Sequence, residues 1–308
     1  MKTVVVALVG PTGVGKTSAA MDLAKDLNAE IVSIDSMQLY RGMDIGTDKA
    51  TPEMRKQVRH HLLDVKEPTE EVTVAEFQAL ARDAITDIAG RGRTPLLVGG
   101  SGLYFRAVVD NLSFPPRAPE VRARLEEESE ALGAEALHAR LAEFDAKAAA
   151  RIEPANARRT IRALEVIEIT GRPFSDNDSW DGYESIYELR AIGLERPREE
   201  LFERIERRVD EMLARGLVEE TSRVAEAGMG RTARMALGYR QVLENPTATT
   251  QELKAEIVQA TKRFARRQGS WFRADPRIEW VGADASDLAN RVGLDRTDVA
   301  EGARRLES

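Results

Sequence analysis

The stretch GPTGVGKT, Gly10 to Thr17, satisfies the pattern G-x-x-x-x-G-K-[ST] in full. Gly13 and Gly15 let backbone N–H groups curl around phosphate oxygens, a following helix adds the partial positive charge of its N-terminus, and Lys16 supplies a point charge. The Thr17 hydroxyl suits Mg²⁺, a hard cation that takes oxygen ligands. Gly10, Pro11, Thr12, Gly13, Val14, Gly15, Lys16, Thr17 and Ser18 are therefore the candidate cradle for a diphosphate or triphosphate.

A second candidate lies in IVSIDSMQLYRGMDIGT, residues 31 to 47, where Asp35 and Ser36 follow a short apolar run. A carboxylate there could accept a proton from an attacking group, join a Mg²⁺ shell, or cap a turn or helix, and spacing alone leaves these open. A third is PLLVGGSGLY, which ends in Gly99, Gly100 and Ser101 where energy-transducing ATPases of this class carry an acidic Mg²⁺ ligand. The glycines leave room for a substrate, and they also fit a tight strand-to-helix turn needing positive φ.

Three basic clusters stand out. ARRTIRALEVIEITGRP sets Arg158, Arg159 and Arg162 on neighbouring turns, with Ile161, Leu164 and Ile167 free to face a core. RIERRVDEML places Arg204 and Arg208 on one face and Ile205, Val209 and Met212 on a buried stripe. TKRFARRQGSWFRADPR interleaves Lys262, Arg263, Arg266 and Arg267 with Phe264, Trp271 and Phe272. Basic residues with aromatics can follow a nucleic-acid backbone and stack on bases, although any one cluster also fits an ion-paired, solvated helix. His60, His61 and His138 lack ligand spacing and read as structural, and the adjoining LLDV reads as a core strand. Trp180 and Trp280 read as core or turn residues.

These groups need elements to hold them. TVVVALVG is almost continuously apolar and β-branched, as a central strand covered on both faces must be. KTSAAMDLAKDL reads as a helix and EIVSID as the next strand, so the chain opens with a βαβ unit. TVAE, Thr73 to Glu76, has the spacing of a capping box at the start of a helix reaching about Gly90. TPLLVGGSGLYFRAVVD then repeats strand, turn and helix. The expected class is α/β, a P-loop NTPase-like open parallel sheet flanked by helices, with a helical insertion lobe. Expected boundaries are 1–115 for the first part of the catalytic core, 116–182 for the lobe, 183–283 for a mostly helical second part and 284–308 for a tail. The lobe opens at the prolines of NLSFPPRAP, and the strands YELRAIGLE and RIEWVG return the chain to the sheet. Strand carboxyl ends face the ligand crevice in such a sheet, which brings Asp35 near the phosphates.

Composition narrows the classes. In 308 residues, 42% hydrophobic, a sizeable core can form. A net charge of -7 excludes indiscriminate coating of nucleic acid but not a local basic face. With no cysteine there is no disulfide, zinc-thiolate site or thiol nucleophile, and three histidines leave little for a histidine-rich metal site. The opening apolar run meets glycines and Lys16 too early for a signal peptide or membrane span, so a cytoplasmic protein without a membrane partner is expected.

GPTGVGKT, SIDSMQLYRGMDIGT, PLLVGGSGLYFRAV, RRTIRALEV, TGRPFS, RIERRVDEMLARGLVEE, ALGYRQ and FARRQGSWFR together resemble the tRNA dimethylallyltransferase (IPP transferase) family, in consistent order over residues 4 to 280. The resemblance implies transfer of a dimethylallyl group from dimethylallyl diphosphate to N6 of the tRNA adenosine just 3′ of the anticodon, position 37, with Mg²⁺ on Thr17 and release of diphosphate. It makes Asp35 the base, Arg208 the arginine that helps neutralise diphosphate, and Thr17 and Ser101 further catalytic positions, serine standing where the family commonly has threonine. It implies tRNA contacts from Asp35, Ser36, Met37, Gln38 and Ser101, and from Arg122, Arg158, Arg159, Thr160, Ile161 and Arg162, with the 262 to 267 cluster assigned to tRNA phosphates. Ala146, Glu153 and Ala155 depart from the family pattern in the lobe. No zinc finger follows the core, so a bacterial type is implied, expected as a monomer. Rival readings are a small-molecule kinase with ATP in the same loop, prenyl transfer to free adenine nucleotide, and RNA binding with a vestigial loop.

Overall fold

The computed structural model describes residues 2–176 and 182–293. Six strands, β1 Val4–Val9, β2 Ala29–Ser33, β3 His60–His61, β4 Thr94–Gly99, β5 Glu188–Glu195 and β6 Ile278–Gly282, form one sheet in the order β3-β2-β4-β1-β5-β6. Every pairing is parallel. Helices α1 Lys16–Asp26, α2 Pro52–Gln57, α3 Val74–Gly90 and α4 Gly102–Val109 accompany the first four strands. Then come α5 Pro119–Leu132, α6 Ala134–Phe144, α7 Ala146–Arg151 and α8 Ala157–Thr170, and after β5 α9 Arg198–Ala214, α10 Leu217–Ala227, α11 Arg231–Arg234, α12 Tyr239–Glu244, α13 Thr250–Arg273 and α14 Leu288–Arg291. The chain divides into two compact units, one comprising the segments up to Asp110 and from Tyr183 onward, the other Asn111–Gly182.

Alternation along β1 explains why its apolar run is unbroken. Val5, Ala7 and Val9 point into a core with Phe77, Phe105 and Phe272, while Val6 and Leu8 point into another with Leu23, Leu27 and Ile205. Both faces are covered, so both registers must be apolar. The insertion unit carries its own core of Leu125, Leu137, Leu141, Ile152, Ile161 and Leu164.

Local signals held in part. Thr73 Oγ1 accepts the Glu76 N–H at 3.0 Å, but the Glu76 carboxylate pairs with Lys66 at 2.6 Å instead of completing the box. The reciprocal box forms at Thr249, whose N–H donates to Glu252 at 2.8 Å while its hydroxyl accepts the Glu252 N–H at 3.3 Å. LLDV is not a strand: β3 stops at His61, and Leu62 and Asp64 adopt φ of 63° and 57°. The reason is polar, for the Asp64 carboxylate turns inward to Lys49 at 2.6 Å and Arg55 at 2.6 Å. Trp280 is half-buried beneath the Arg273 guanidinium, and Trp180 lies outside the described residues.

Candidate active site

The loop Gly10–Gly15 leaves β1 and turns into α1 through backbone that only glycine adopts easily: φ is 143° at Gly10, 83° at Gly13 and 111° at Gly15. A side chain on Gly10 would stand 2.7 Å from the Leu194 carbonyl of β5. The first turn of α1 has no acidic residue, so its free N–H groups face the loop uncompensated. Lys16 Nζ folds back over the loop, donating to the carbonyls of Gly10 at 2.9 Å and Pro11 at 2.8 Å.

Three arginines from the β5–α9 region brace this loop. Arg196 Nε donates to the Val14 carbonyl at 2.9 Å, Arg204 Nε to the Gly13 carbonyl at 2.9 Å, and Arg208 Nη1 to the Thr12 hydroxyl at 2.9 Å. Opposite them, Gln268 of α13 accepts the Thr12 N–H at 2.8 Å. Arg208 also lies 3.3 Å from the Asp48 carboxylate. Residues as far apart as 12 and 268 thus meet around one turn, and no local pattern marks Gln268, Arg196 or Asp48 for that role.

Asp35 follows β2 and does cap a turn, since its Oδ1 accepts the Met37 N–H at 2.9 Å. The residue also lines two cavities. The first, about 440 Å³, includes Lys16, Thr17, Asp48, Arg204 and Arg208 in its wall. The second, about 240 Å³, is walled by Ser36, Met37 and Ser101 and by the apolar Val209, Met212, Leu237 and Ile257. Thr12, Asp35, Thr47, Arg208, Phe264 and Gln268 belong to both. Gln38 lines the first cavity. Burial pushes the Asp35 carboxyl above the usual carboxylate range, against the pull of the Met37 N–H, Lys16 and Arg208. Burial, with Arg208 beside it, lowers the Lys16 amine to about 7, and Asp35 and Asp48 oppose that fall.

Gly99 and Gly100 line the first cavity, but the positive-φ turn expected of them does not occur. Their smallness serves packing instead: a side chain on Gly99 would collide with Ile34, and one on Gly100 with the Gln268 amide. Phe272 is fully buried in the core, Lys262 pairs with Glu206 at 2.5 Å, and the Arg267 guanidinium lies 5.9 Å from the Phe264 ring centre.

In the insertion unit Arg158 and Arg159 are exposed on α8. Thr160 and Ile161, expected among the RNA contacts, are 0% and 4% exposed in the free protein, and Ile161 packs into the unit's own core through the periodicity of α8. Arg122 and Arg162 both reach the buried Glu165, at 3.6 and 2.8 Å, and Arg162 also donates to the carbonyls of Pro115 and Pro116.

Among the described residues no group of three or more His, Asp or Glu side chains could hold a metal by itself. The first cavity instead offers the Thr17 hydroxyl and the Asp48 carboxylate, both oxygen donors. That set fits Mg²⁺, which keeps several waters and shares phosphate oxygens with its substrate. Among the described residues no helix is long and apolar enough to cross a membrane.

A family model described as IPP transferase matches residues 38–275. The tRNA dimethylallyltransferase of Streptomyces coelicolor is 55% identical over 287 residues, 92% of this chain and 91% of that protein. That of Thermobifida fusca is 53% identical over 297 residues, 94% and 92% of the two chains. Among solved structures, the full-length tRNA isopentenylpyrophosphate transferase of Bacillus halodurans aligns with a TM-score of 0.67 at 40% identity, over 100% of this chain and 98% of its own. A eukaryotic dimethylallyltransferase acting on tRNA reaches a TM-score of 0.78 at 23% identity, over 97% and 77%, a likeness of fold alone. A phosphate loop, a carboxylate between two cavities and relatives more than half identical along nearly the whole sequence lead to one conclusion: the chain belongs to the IPP transferase family.

Proposed function

We propose that this chain transfers the dimethylallyl group of dimethylallyl diphosphate to N6 of the tRNA adenosine at position 37, just 3′ of the anticodon, and releases diphosphate. The observation that carries the reading is Asp35, bordering both a cavity walled by cations and one with an apolar wall. The diphosphate occupies the first, against Lys16, Arg208 and the start of α1. The adenine, drawn out of its stack, approaches Asp35 from the side of Ser36, Met37 and Ser101.

The N6 lone pair forms a bond to the allylic carbon, the carbon–oxygen bond breaks, and its electron pair leaves on the diphosphate. The N6 proton passes to the Asp35 carboxylate, whose raised proton affinity makes it a stronger base than an exposed aspartate. Charge developing on the leaving group meets fixed donors in a site already built, which is where electrostatic stabilisation is largest. Val209, Met212 and Ile257 give the allyl group an apolar wall and keep competing water away. Bound Mg²⁺, held by Thr17 and diphosphate oxygens, would supply further neutralisation of the leaving group. Arg158 and Arg159 offer the exposed guanidinium groups for RNA phosphates, and the paired Arg122 and Arg162 present their remaining donors beside them.

Single-turnover incubation with Mg²⁺, dimethylallyl diphosphate and an anticodon stem-loop tests the proposal, with nucleoside mass analysis as readout and AMP and ATP as rival acceptor and donor. N6-dimethylallyladenosine in the RNA alone is expected. Product only on AMP, or phosphoryl transfer from ATP, would overturn it.

A further inference from the structure

Glu220 of α10 is 3% exposed, and no step above uses it. Its carboxylate accepts three successive backbone N–H groups, from Asp44 at 3.2 Å, Ile45 at 2.9 Å and Gly46 at 3.3 Å. The Tyr239 hydroxyl donates to the same carboxylate at 2.5 Å, and the Tyr239 ring fills the space a side chain on Gly46 would need. Hydrogen bonds to an ionised acceptor are about twice as strong as neutral ones, and breaking these would strand buried groups. The loop is clamped from beneath.

The two residues that follow this loop both reach the chemistry. The Thr47 carbonyl accepts Gln38 Nε2 at 3.0 Å, Gln38 Oε1 accepts the Ser33 hydroxyl at 2.8 Å, and Ser33 Oγ accepts the Asp35 N–H at 3.3 Å. The next residue, Asp48, held at a φ of 52°, sets its carboxylate 3.3 Å from Arg208. We infer that Glu220, closed over by Tyr239, is a positioning residue that clamps Asp44–Gly46 and so sets Asp35 through Gln38 and Arg208 through Asp48. The inference rests on the reading of Gly10–Thr17 as a diphosphate site.

Its test is the affinity for inorganic diphosphate with Mg²⁺, measured by calorimetry on the full chain, Glu220→Gln, Arg208→Ala and the double variant, with stem-loop affinity measured alongside. Glu220→Gln should weaken diphosphate binding about tenfold and leave RNA affinity within about twofold, and the double variant should bind no more weakly than Arg208→Ala, because both changes remove one path. Effects that multiply, or unchanged diphosphate affinity in folded Glu220→Gln, would overturn the inference. Should that variant fail to fold, Tyr239→Phe decides, since it keeps the ring and removes one hydrogen bond. It should weaken binding about threefold, and only while Arg208 is present; no weakening overturns the clamp. A chain that binds diphosphate yet prenylates no RNA ends the proposed function while leaving this cycle readable.

Discussion

Asp35 and Lys16 share one cavity and have opposite needs: the acid must be ionised to take a proton, the amine protonated to hold an anion. Asp35→Ala should lower prenyl transfer by about 10²- to 10⁴-fold while stem-loop affinity holds, as loss of a general base does. Single-turnover rates with a parallel binding assay decide it, and normal turnover would remove Asp35 from the base role. For Lys16 the sign follows from burial, which lowers its pKa from 10.5 to about 7 in the ligand-free site. A bound diphosphate raises that pKa again, so above pH 7 binding takes up a proton and affinity should fall with rising pH, approaching about tenfold per unit. Calorimetric proton uptake, compared with Lys16→Met, isolates this from the titration of diphosphate itself. Equal pH dependence in the two proteins would contradict it.

Element β2 shows how a strand near the sheet edge is pinned. Glu30 is 2% exposed on β2, and its carboxylate meets Arg91 and the His61 ring, with Arg93 3.5 Å away. Hydrogen bonding from Arg91, then from His61, outweighs burial and holds its pKa down from 4.5 to about 2. A depressed acid pKa contributes stability that is present above 4.5 and is lost as pH falls through 2. Glu30→Gln should therefore cost about 2 kcal/mol at neutral pH, discounted because Arg91 is partly exposed. Urea midpoints should show the gap between the two proteins narrowing toward pH 3. A gap independent of pH would mean that packing, not charge, explains the loss.

At the scale of the molecule, a chain of net charge -7 must meet a polyanion through local cations. Replacing Arg158 and Arg159 by alanine should weaken stem-loop binding and flatten its salt dependence by about one unit of slope for each phosphate no longer neutralised, with diphosphate affinity unchanged. The cavity residues all belong to the unit formed by the segments up to Asp110 and from Tyr183 onward. Asp110 and Ser185 pair there as an isolated antiparallel bridge, so the ends flanking the insertion are adjacent. Replacing residues 111–182 by a short glycine-rich linker should leave a folded protein that binds Mg²⁺-diphosphate and loses RNA affinity. Loss of diphosphate binding in a folded product would show that the cradle needs the insertion.

What the sequence by itself determined is whatever short-range chemistry decides. The glycines at 10, 13 and 15, the unbroken apolar run of β1 and the α8 periodicity each need only their neighbours to be read, and the loop, the buried central strand and the half-buried helix follow from them. The same locality misled at LLDV, where apolar residues suggested a strand and the distant Lys49 and Arg55 drew Asp64 into a turn. It misled at Gly99 and Gly100 too, whose smallness answers to packing and not to φ. Only the tertiary structure could bring Gln268 and Arg208 to Thr12, or Glu220 to the amides of Asp44–Gly46. Such pairings span up to 256 residues, and hydrogen-bond complementarity across that distance leaves no periodic trace in the chain.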